Sequence, residues 1–242
     1  MPAAPRLLVI DTATETVAVA ACGPAGDATW SGPGGAAASA QLLPAVQAVC
    51  QQAGLPGGLQ GRSLHAIAFG AGPGAFTGLR TACAAAQGLA LGLGCPVLAL
   101  DDLAVWAEDS PWHDGQPLWV AVDARMDEVY AAAYGRQAGG WAMLQPPALY
   151  TLEALAAHWA DAPPQRVAGN ALAAFGARLA DGGAQRHAHL RDRPAALLRL
   201  ARAAWARGEA CDPAQALPIY LRDKVALTTA ERAQRAAQRV NT

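Results

Sequence analysis

Residues 66–91 narrow the possible folds more than any other stretch. Ala66–Phe69 is a short apolar run that reads as a buried strand. It runs into Gly70-Ala71-Gly72-Pro73-Gly74-Ala75-Phe76-Thr77-Gly78-Leu79-Arg80, and a helix of small residues follows from Leu79 to about Leu91. Strand, glycine loop and helix in that order belong to an α/β architecture. Two readings of the loop are open. Glycines between a strand and a helix can expose backbone N–H groups to an anion, with the helix dipole assisting; Thr77 would cap that helix and Arg80 would lie in its first turn. The same glycines also permit tight loop geometry and close helix packing. The loop is not a Walker A motif, because Gly72 and Gly78 enclose five residues and no Lys follows, and it is not GxGxxG.

The rest of the chain fits the same architecture. Leu7–Ile10 is a continuous apolar run, as in a strand buried on both faces, and it ends at Asp11. Val17–Cys22 and Ala28–Ser31 read as further strands after turns at Asp11–Glu15 and Gly23–Asp27. A helix is expected over Ala36–Ala53, ended by Gly54, with Pro44 in or near its first turn or bending it. Pro96–Leu100 is a strand, and Asp101-Asp102 is placed to cap a helix through Glu108. Asp109–Pro117, rich in Pro, Gly and Asp, is the best domain boundary. The second half restarts with strands at Leu118–Asp123 and Val129–Tyr134, a helix opened by Thr151 and Glu153, a strand at Arg166–Ala168, and a helix around Leu172–Leu179. Pro194 then opens a helix that Gly208 follows. The two halves echo one another coarsely.

Composition limits the function classes. Of 242 residues, 53% are apolar and 15% charged, against a usual charged share of roughly 25%, which excludes a disordered polyelectrolyte. Aromatics are 6% and alanine supplies much of the rest, so the core is expected to use small side chains. The net charge of −1 hides an asymmetry: residues 186–242 hold eleven Lys/Arg against five Asp/Glu, and residues 1–185 hold seven against fourteen. The five cysteines are odd in number and form no CxxC pair, so neither a disulfide framework nor a zinc ribbon is supported; Cys22, Cys50 and Cys83 read as core residues. Leu7–Ile10 is too short for a signal-peptide core, and no run of 18 apolar residues occurs. The expectation is a soluble cytoplasmic protein without a membrane partner.

Asp11 and Asp123 each follow the first strand of a half, where a carboxylate could hold a metal or water beside a phosphate, or merely cap a turn. His187 and His189 lack obvious co-ligands, and neither a GxSxG elbow nor a metal-binding spacing is present. Arg232, Arg235 and Arg239 share one face of a potential terminal helix and would suit RNA phosphates.

Four blocks carry a resemblance: Ile10-Asp11-Thr12-Ala13-Thr14-Glu15; Gly70–Arg80 with Ala86-Gln87-Gly88-Leu89-Ala90; Val122–Tyr130; and Pro218-Ile219-Tyr220-Leu221-Arg222. Together they resemble the TsaB family of bacterial tRNA threonylcarbamoyladenosine biosynthesis proteins. The resemblance implies the actin-like ATPase fold (shared by acetate and sugar kinases, heat-shock proteins and actin) with two related α/β subdomains. We place these at 1–109 and 110–242, the final helices being free to pack back on the first. It implies no catalytic residue and no metal site in this chain. Its partners would be a homologous catalytic subunit, TsaD, which transfers threonylcarbamoyl to the tRNA adenosine beside the anticodon, and the ATPase TsaE. Transfer RNA would be met through the complex, and a homodimer would form when the chain is alone. The catalytic relative carries a His pair on its first long helix, whereas Ala36–Pro44 here contains no His, and even the single His common in TsaB proteins is replaced by Ala38. The kinase-type turn glycine is also missing from Asp11-Thr12-Ala13-Thr14 and Asp123-Ala124-Arg125-Met126. No nucleotide of its own is therefore expected, with ATP or ADP at the junction with TsaD left open.

A set of nucleotide or phosphate residues follows from these readings: Asp11, Thr12, Gly72, Gly74, Thr77, Arg80 and Asp123. The first two helices, which adjoin the first sheet and are rich in small residues, supply a partner interface of Leu42, Leu43, Val46, Thr81, Ala84, Ala85 and Gly88. A stable interface needs ~1,200–2,000 Å² in total. The alternative function is an actin-like phosphotransferase or ATPase using Asp11, Asp123 and the Gly72–Gly78 loop.

Overall fold

The computed structural model describes residues 4–55 and 64–222. The first apolar run becomes β1 (Leu7–Asp11), antiparallel to β2 (Thr16–Gly23), which pairs with β3 (Gly26–Pro33). β1 also pairs in parallel with β4 (Ala66–Gly72), and β4 with β5 (Val97–Asp101). Parallel neighbours need crossover connections, and α1 (Ala38–Gln52) and α2 (Phe76–Leu93) provide them before α3 (Ala104–Asp109) follows β5. The second half runs β6 (Leu118–Arg125), β7 (Glu128–Gln137), β8 (Gly140–Thr151), α4 (Leu152–Ala160), β9 (Arg166–Ala168), α5 (Ala171–Phe175), β10 (Gln185–His187) and α6 (Arg193–Ala206). The sheets have the orders β3-β2-β1-β4-β5 and β8-β7-β6-β9-β10. The same βββαβαβα unit thus occurs twice with the same pairing order. This is the actin-like ATPase fold that the resemblance implies.

Side-chain alternation along β1 sets the layers. Leu7 and Val9 point into a central layer with α3 and α6, and Leu8 and Ile10 point to the opposite face with α1 and α2. The central layer is shared with the second sheet through Leu118, Val120, Tyr130, Ala132 and Tyr134, and α4 and α5 cover that sheet's outer face around Leu155, Trp159 and Val167. Alanines at 18, 20, 66 and 68 face the central layer. They keep the first sheet's surface low, so α6 lies close upon it although it follows the second sheet in sequence. Cys22, Cys50 and Cys83 are buried, and burial raises the Cys50 thiol to about 11.

The structure departs from the sequence reading in several elements. α2 begins at Phe76, a turn before Leu79, with Ala75 at the capping position and no side-chain cap, so Thr77 lies inside the helix and Arg80 beyond its first turn. Leu103 holds the capping position of α3; Asp101 Oδ1 accepts from the Leu103 N–H at 2.9 Å at the helix entrance, while Asp102 is engaged elsewhere, by Gly72 and Arg193. Pro44 lies in the interior of α1, past its first turn. α5 stops at Phe175, and a 3-10 turn covers Gly176–Arg178. β8 and β10 are strands that the sequence reading lacks. Gly54 and Gly208 take left-handed backbone (φ +70° and +75°) just after α1 and α6, as their positions predicted.

The glycine loop is packed, not open. A Cβ on Gly78 would lie 1.9 Å from the Thr12 carbonyl oxygen, and one on Gly74 would lie 2.8 Å from Ala13. Ala75 N–H donates to the Ala13 carbonyl at 2.8 Å. Gly88, by contrast, has nothing within 4 Å of its Cβ position. In urea unfolding, Gly78→Ala is expected to cost about 3 kcal/mol, at the upper end of overpacking losses, while Gly88→Ala gains roughly 0.5–1 kcal/mol from helix propensity.

Candidate functional site

β1, β4 and β5 run parallel and bring their C-terminal ends to one edge of the first sheet, with Ile10 opposite Phe69 and Gly70 opposite Leu100. That edge collects Asp11, Asp101 and Asp102. Arg193, the first residue of α6, enters from the second half. Its Nε meets Asp11 Oδ2 at 2.5 Å and its Nη2 meets Asp102 Oδ1 at 2.6 Å. Asp11 is 0% and Asp102 3% exposed. Ala13 N–H donates to Asp11 Oδ1 at 2.8 Å and Gly72 N–H to Asp102 Oδ2 at 2.7 Å. Gly70 makes room, since a Cβ there would lie 2.5 Å from Asp11 Oδ1. Tyr134 of β7 donates its hydroxyl to Asp101 Oδ2 at 2.5 Å, a second tie between the sheets.

Three acids around one guanidinium leave an excess of negative charge. Burial, and then the neighbouring Asp11, hold the Asp102 carboxyl well above the usual carboxylate range. Burial also raises Asp101, against the hydrogen bond from Tyr134, and raises the Tyr134 phenol, with Asp101 adding to the shift. Burial opposes the charged form of Arg193, but the charges of Asp11 and Asp102 outweigh it and raise its pKa.

These contacts decide most of the expected phosphate residues. Asp11 faces inward on Arg193. The Thr12 hydroxyl donates to the Gly78 carbonyl at 2.6 Å and is buried, and the Gly72 amide is taken by Asp102. Gly74 packs its Cα against Ala13 but stays half-exposed at the rim of a cavity between the halves. Thr77 is exposed in α2, where its carbonyl accepts from Thr81 at 3.0 Å. Arg80 lies over the Phe76 ring, 3.9 Å from its centroid, and donates to the Tyr220 hydroxyl at 3.1 Å. Asp123 caps its own turn by accepting from Arg125 N–H at 2.7 Å, and its N–H donates to Asn170 at 2.8 Å. The phosphate reading of Asp11, Thr12 and Gly72 is corrected: their polar groups are taken by Arg193, the Gly78 carbonyl and Asp102, and do not face a nucleotide's phosphates.

The interface set also divides. Leu42 and Val46 are core residues, correcting their place at a partner surface, because they point at β2 and β3 from the buried face of α1. Leu43, one residue and 100° further round the helix, is 50% exposed. On α2, Ala84 and Gly88 are exposed and Thr81 and Ala85 half-buried. Arg232, Arg235 and Arg239 lie outside the described residues. Arg193, Asp102, Tyr134 and Arg222 escaped the sequence reading as site residues; the paired acids after the apolar run Val97–Leu100 were the signal for Asp102, since they mirror Asp11 after Leu7–Ile10.

Duplicated lobes around a sealed carboxylate–arginine junction define this chain as an actin-like protein whose phosphate-turn positions are filled by its own side chains. A family model described as TsaD, tRNA N6-adenosine threonylcarbamoyltransferase, matches residues 35–180. The tRNA threonylcarbamoyladenosine biosynthesis protein TsaB of Escherichia coli (strain K12) is 32% identical over 91% of this chain and 96% of its own length. Two Pseudomonas aeruginosa structures cover 90% of this chain and 100% of theirs: an uncharacterised protein described as similar to the peptidase YeaZ (TM-score 0.78, 37% identity) and YeaZ (0.76, 36%). The chain belongs to the TsaB family.

Removing Arg193 tests the junction. Arg193→Met leaves buried carboxylates without their cation and is expected to cost about 3–5 kcal/mol in denaturant unfolding at pH 7. The raised carboxyl of Asp102 has a definite sign. Its contribution to stability is full below its unfolded value near 4 and is lost as pH rises toward its higher folded value. Unfolding midpoints in a pH series from 4 to 8 are expected to show this fall, and Asp102→Asn to flatten it.

Proposed function

We propose that this chain is a partner subunit, without catalysis of its own, for threonylcarbamoyl transfer to the tRNA adenosine beside the anticodon. It acts by pairing with TsaD, with TsaE joining, and it forms a homodimer when alone. The observation that carries the reading is the outer surface of α1 and α2. The 15 residues of α1 and 18 of α2 contain one charged side chain, Arg80. Both helices lie on one face of the first sheet and turn Leu43, Ala84, Gly88 and Leu91 outward, with Leu91 67% exposed. Surface helices ordinarily carry charge on the face away from the core. On this outer surface Arg80 is the one charge, at the start of the α2 stripe that continues through Ala84, Gly88 and Leu91. Gln47, Gln51 and Gln52 are exposed polar residues of α1, and the small residues among these side chains let a second pair of helices approach closely.

The curated relatives' name supports the pathway. The filled positions around Asp11 argue against the alternative of an independent phosphotransferase or ATPase. In this reading any ATP or ADP of the complex is held mainly by residues of TsaD. The work is done in the cytoplasm, where tRNA is found; among the described residues no helix is long and apolar enough to cross a membrane.

Reconstitution tests the proposal. The purified chain alone is expected to leave tRNA unmodified and ATP intact, and a mixture with TsaD and TsaE to modify tRNA. Leu43→Asp and Ala84→Arg, both at exposed positions, should shift the dimer to monomer in light scattering and reduce TsaD capture at least tenfold. Modification or ATP turnover by the chain alone, or unchanged assembly in both variants, would overturn it.

A further inference from the structure

A cavity of about 200 Å³ lies between the lobes, walled by Phe76 and Leu79 of α2, Met126 and Tyr130 of the second lobe, and Ile219 and Tyr220 of the closing segment. The cations that line it are already engaged: Arg125 by Glu15 and Asp123, and Arg222 by the turn between β6 and β7. The polypeptide over the cavity is therefore the informative feature.

The closing segment is attached along the whole first lobe. Cys211 exchanges two backbone hydrogen bonds of 2.9 Å with Val97. Gln87 of α2 donates to the carbonyls of Pro213 and Ala216 at 2.9 and 3.1 Å. Ile219 N–H donates to the Ala71 carbonyl at 2.7 Å, and the Tyr220 ring packs 5.2 Å from Phe76. Arg222 then crosses to the second lobe. Its Nη2 donates to the Ala124 carbonyl at 2.9 Å and pairs with Glu128 at 2.7 Å, and Nη1 reaches the Met126 sulfur at 3.1 Å.

The turn that Arg222 holds is unusual. Arg125, Met126 and Asp127 all have left-handed backbone, with φ of +65°, +61° and +60°. Three successive non-glycine residues there store backbone strain, and such a conformation persists only while its surroundings enforce it. Arg222 enforces it by gathering the carbonyl of Ala124, the sulfur of Met126 and the carboxylate of Glu128 onto one guanidinium. A firmly anchored strap thus brings Arg222 onto a strained turn, which Asp123 also holds through the Arg125 N–H and Arg178 through Asp127.

We propose that residues 216–222 form a latch between the lobes, fixed to α2 and β4 and releasable at Arg222. With the latch engaged, the turn between β6 and β7 is held left-handed and the strap covers one side of a half-open cavity. Release at Arg222 lets the turn relax toward ordinary backbone, frees Arg125 from Glu15 and widens the cavity on the side of the second lobe, while the strap stays on α2.

Hydrogen exchange on the full chain tests this. Arg222→Gln is expected to speed exchange at least tenfold in peptides covering 123–129, leaving β1, β4 and the strap up to Ile219 within twofold of the wild type. Met126→Gly relieves the strain at its site, so in that background the Arg222→Gln effect should fall below threefold. Unchanged exchange at 123–129 in Arg222→Gln would overturn the latch, as would a uniform loss of protection over both sheets. An effect of equal size in the Met126→Gly background would overturn the stored-strain account of it.

Discussion

The guanidinium of Arg193 between Asp11 and Asp102 is the contact on which the arrangement of the two lobes depends. It joins the first strand of the chain to a residue 182 positions later, and it does so where water is excluded. Breaking a buried pair leaves an uncompensated charge, so the three groups are mutually necessary. Gly70 is required for space beside Asp11, Gly72 for its amide on Asp102, and α6 must start where Arg193 reaches the sheet edge. The loop between β4 and α2 takes its shape from these demands, which explains its glycines without any ligand.

Much of the fold was legible because its signals are local. Leu7–Ile10, Ala66–Phe69 and Leu118–Asp123 announce strands by unbroken apolar runs, and Thr151, Pro194 and Gly208 mark helix ends by backbone chemistry. β8 was not legible: Gln145-Pro146-Pro147 interrupts it, and proline is tolerated there because β8 is an edge strand that breaks register with β7 nearby. β10 has only three residues, two of them exposed. The candidate site was harder for a different reason. An aspartate after a strand looks the same whether it faces solvent or an arginine 182 residues away. Of the two roles left open for Asp11, the turn-capping one is visible in its bond from Ala13 N–H, and the pairing with Arg193 was not legible. Leu42 and Leu43 show the same limit, since adjacent leucines of one helix serve the core and the surface respectively.

The two copies of the βββαβαβα unit have diverged in the helices that cover their outer faces. α1 and α2 have 15 and 18 residues, and their counterparts α4 and α5 have 9 and 5. Among the helices that cover the outer faces, the long ones lie on the lobe that also carries the small-residue surface. The second lobe keeps the corresponding close approach at Gly169, whose Cβ position lies 1.8 Å from the Ala121 carbonyl oxygen, and answers Asp11 with an Asp123 that merely caps its turn. The duplicated frame is thus retained while its halves hold different roles.

The near-absence of charge from α1 and α2 has a consequence for how any association through them behaves. Ion pairs steer encounters over a Debye length and weaken as salt screens them. A face of alanine, glycine, leucine and uncharged glutamine with Arg80 as its one charge has little of either property. Its association would be almost indifferent to ionic strength, slow to find its orientation, and accompanied by a negative heat-capacity change as apolar surface leaves water. Cooling would then loosen it, since apolar burial loses strength at low temperature.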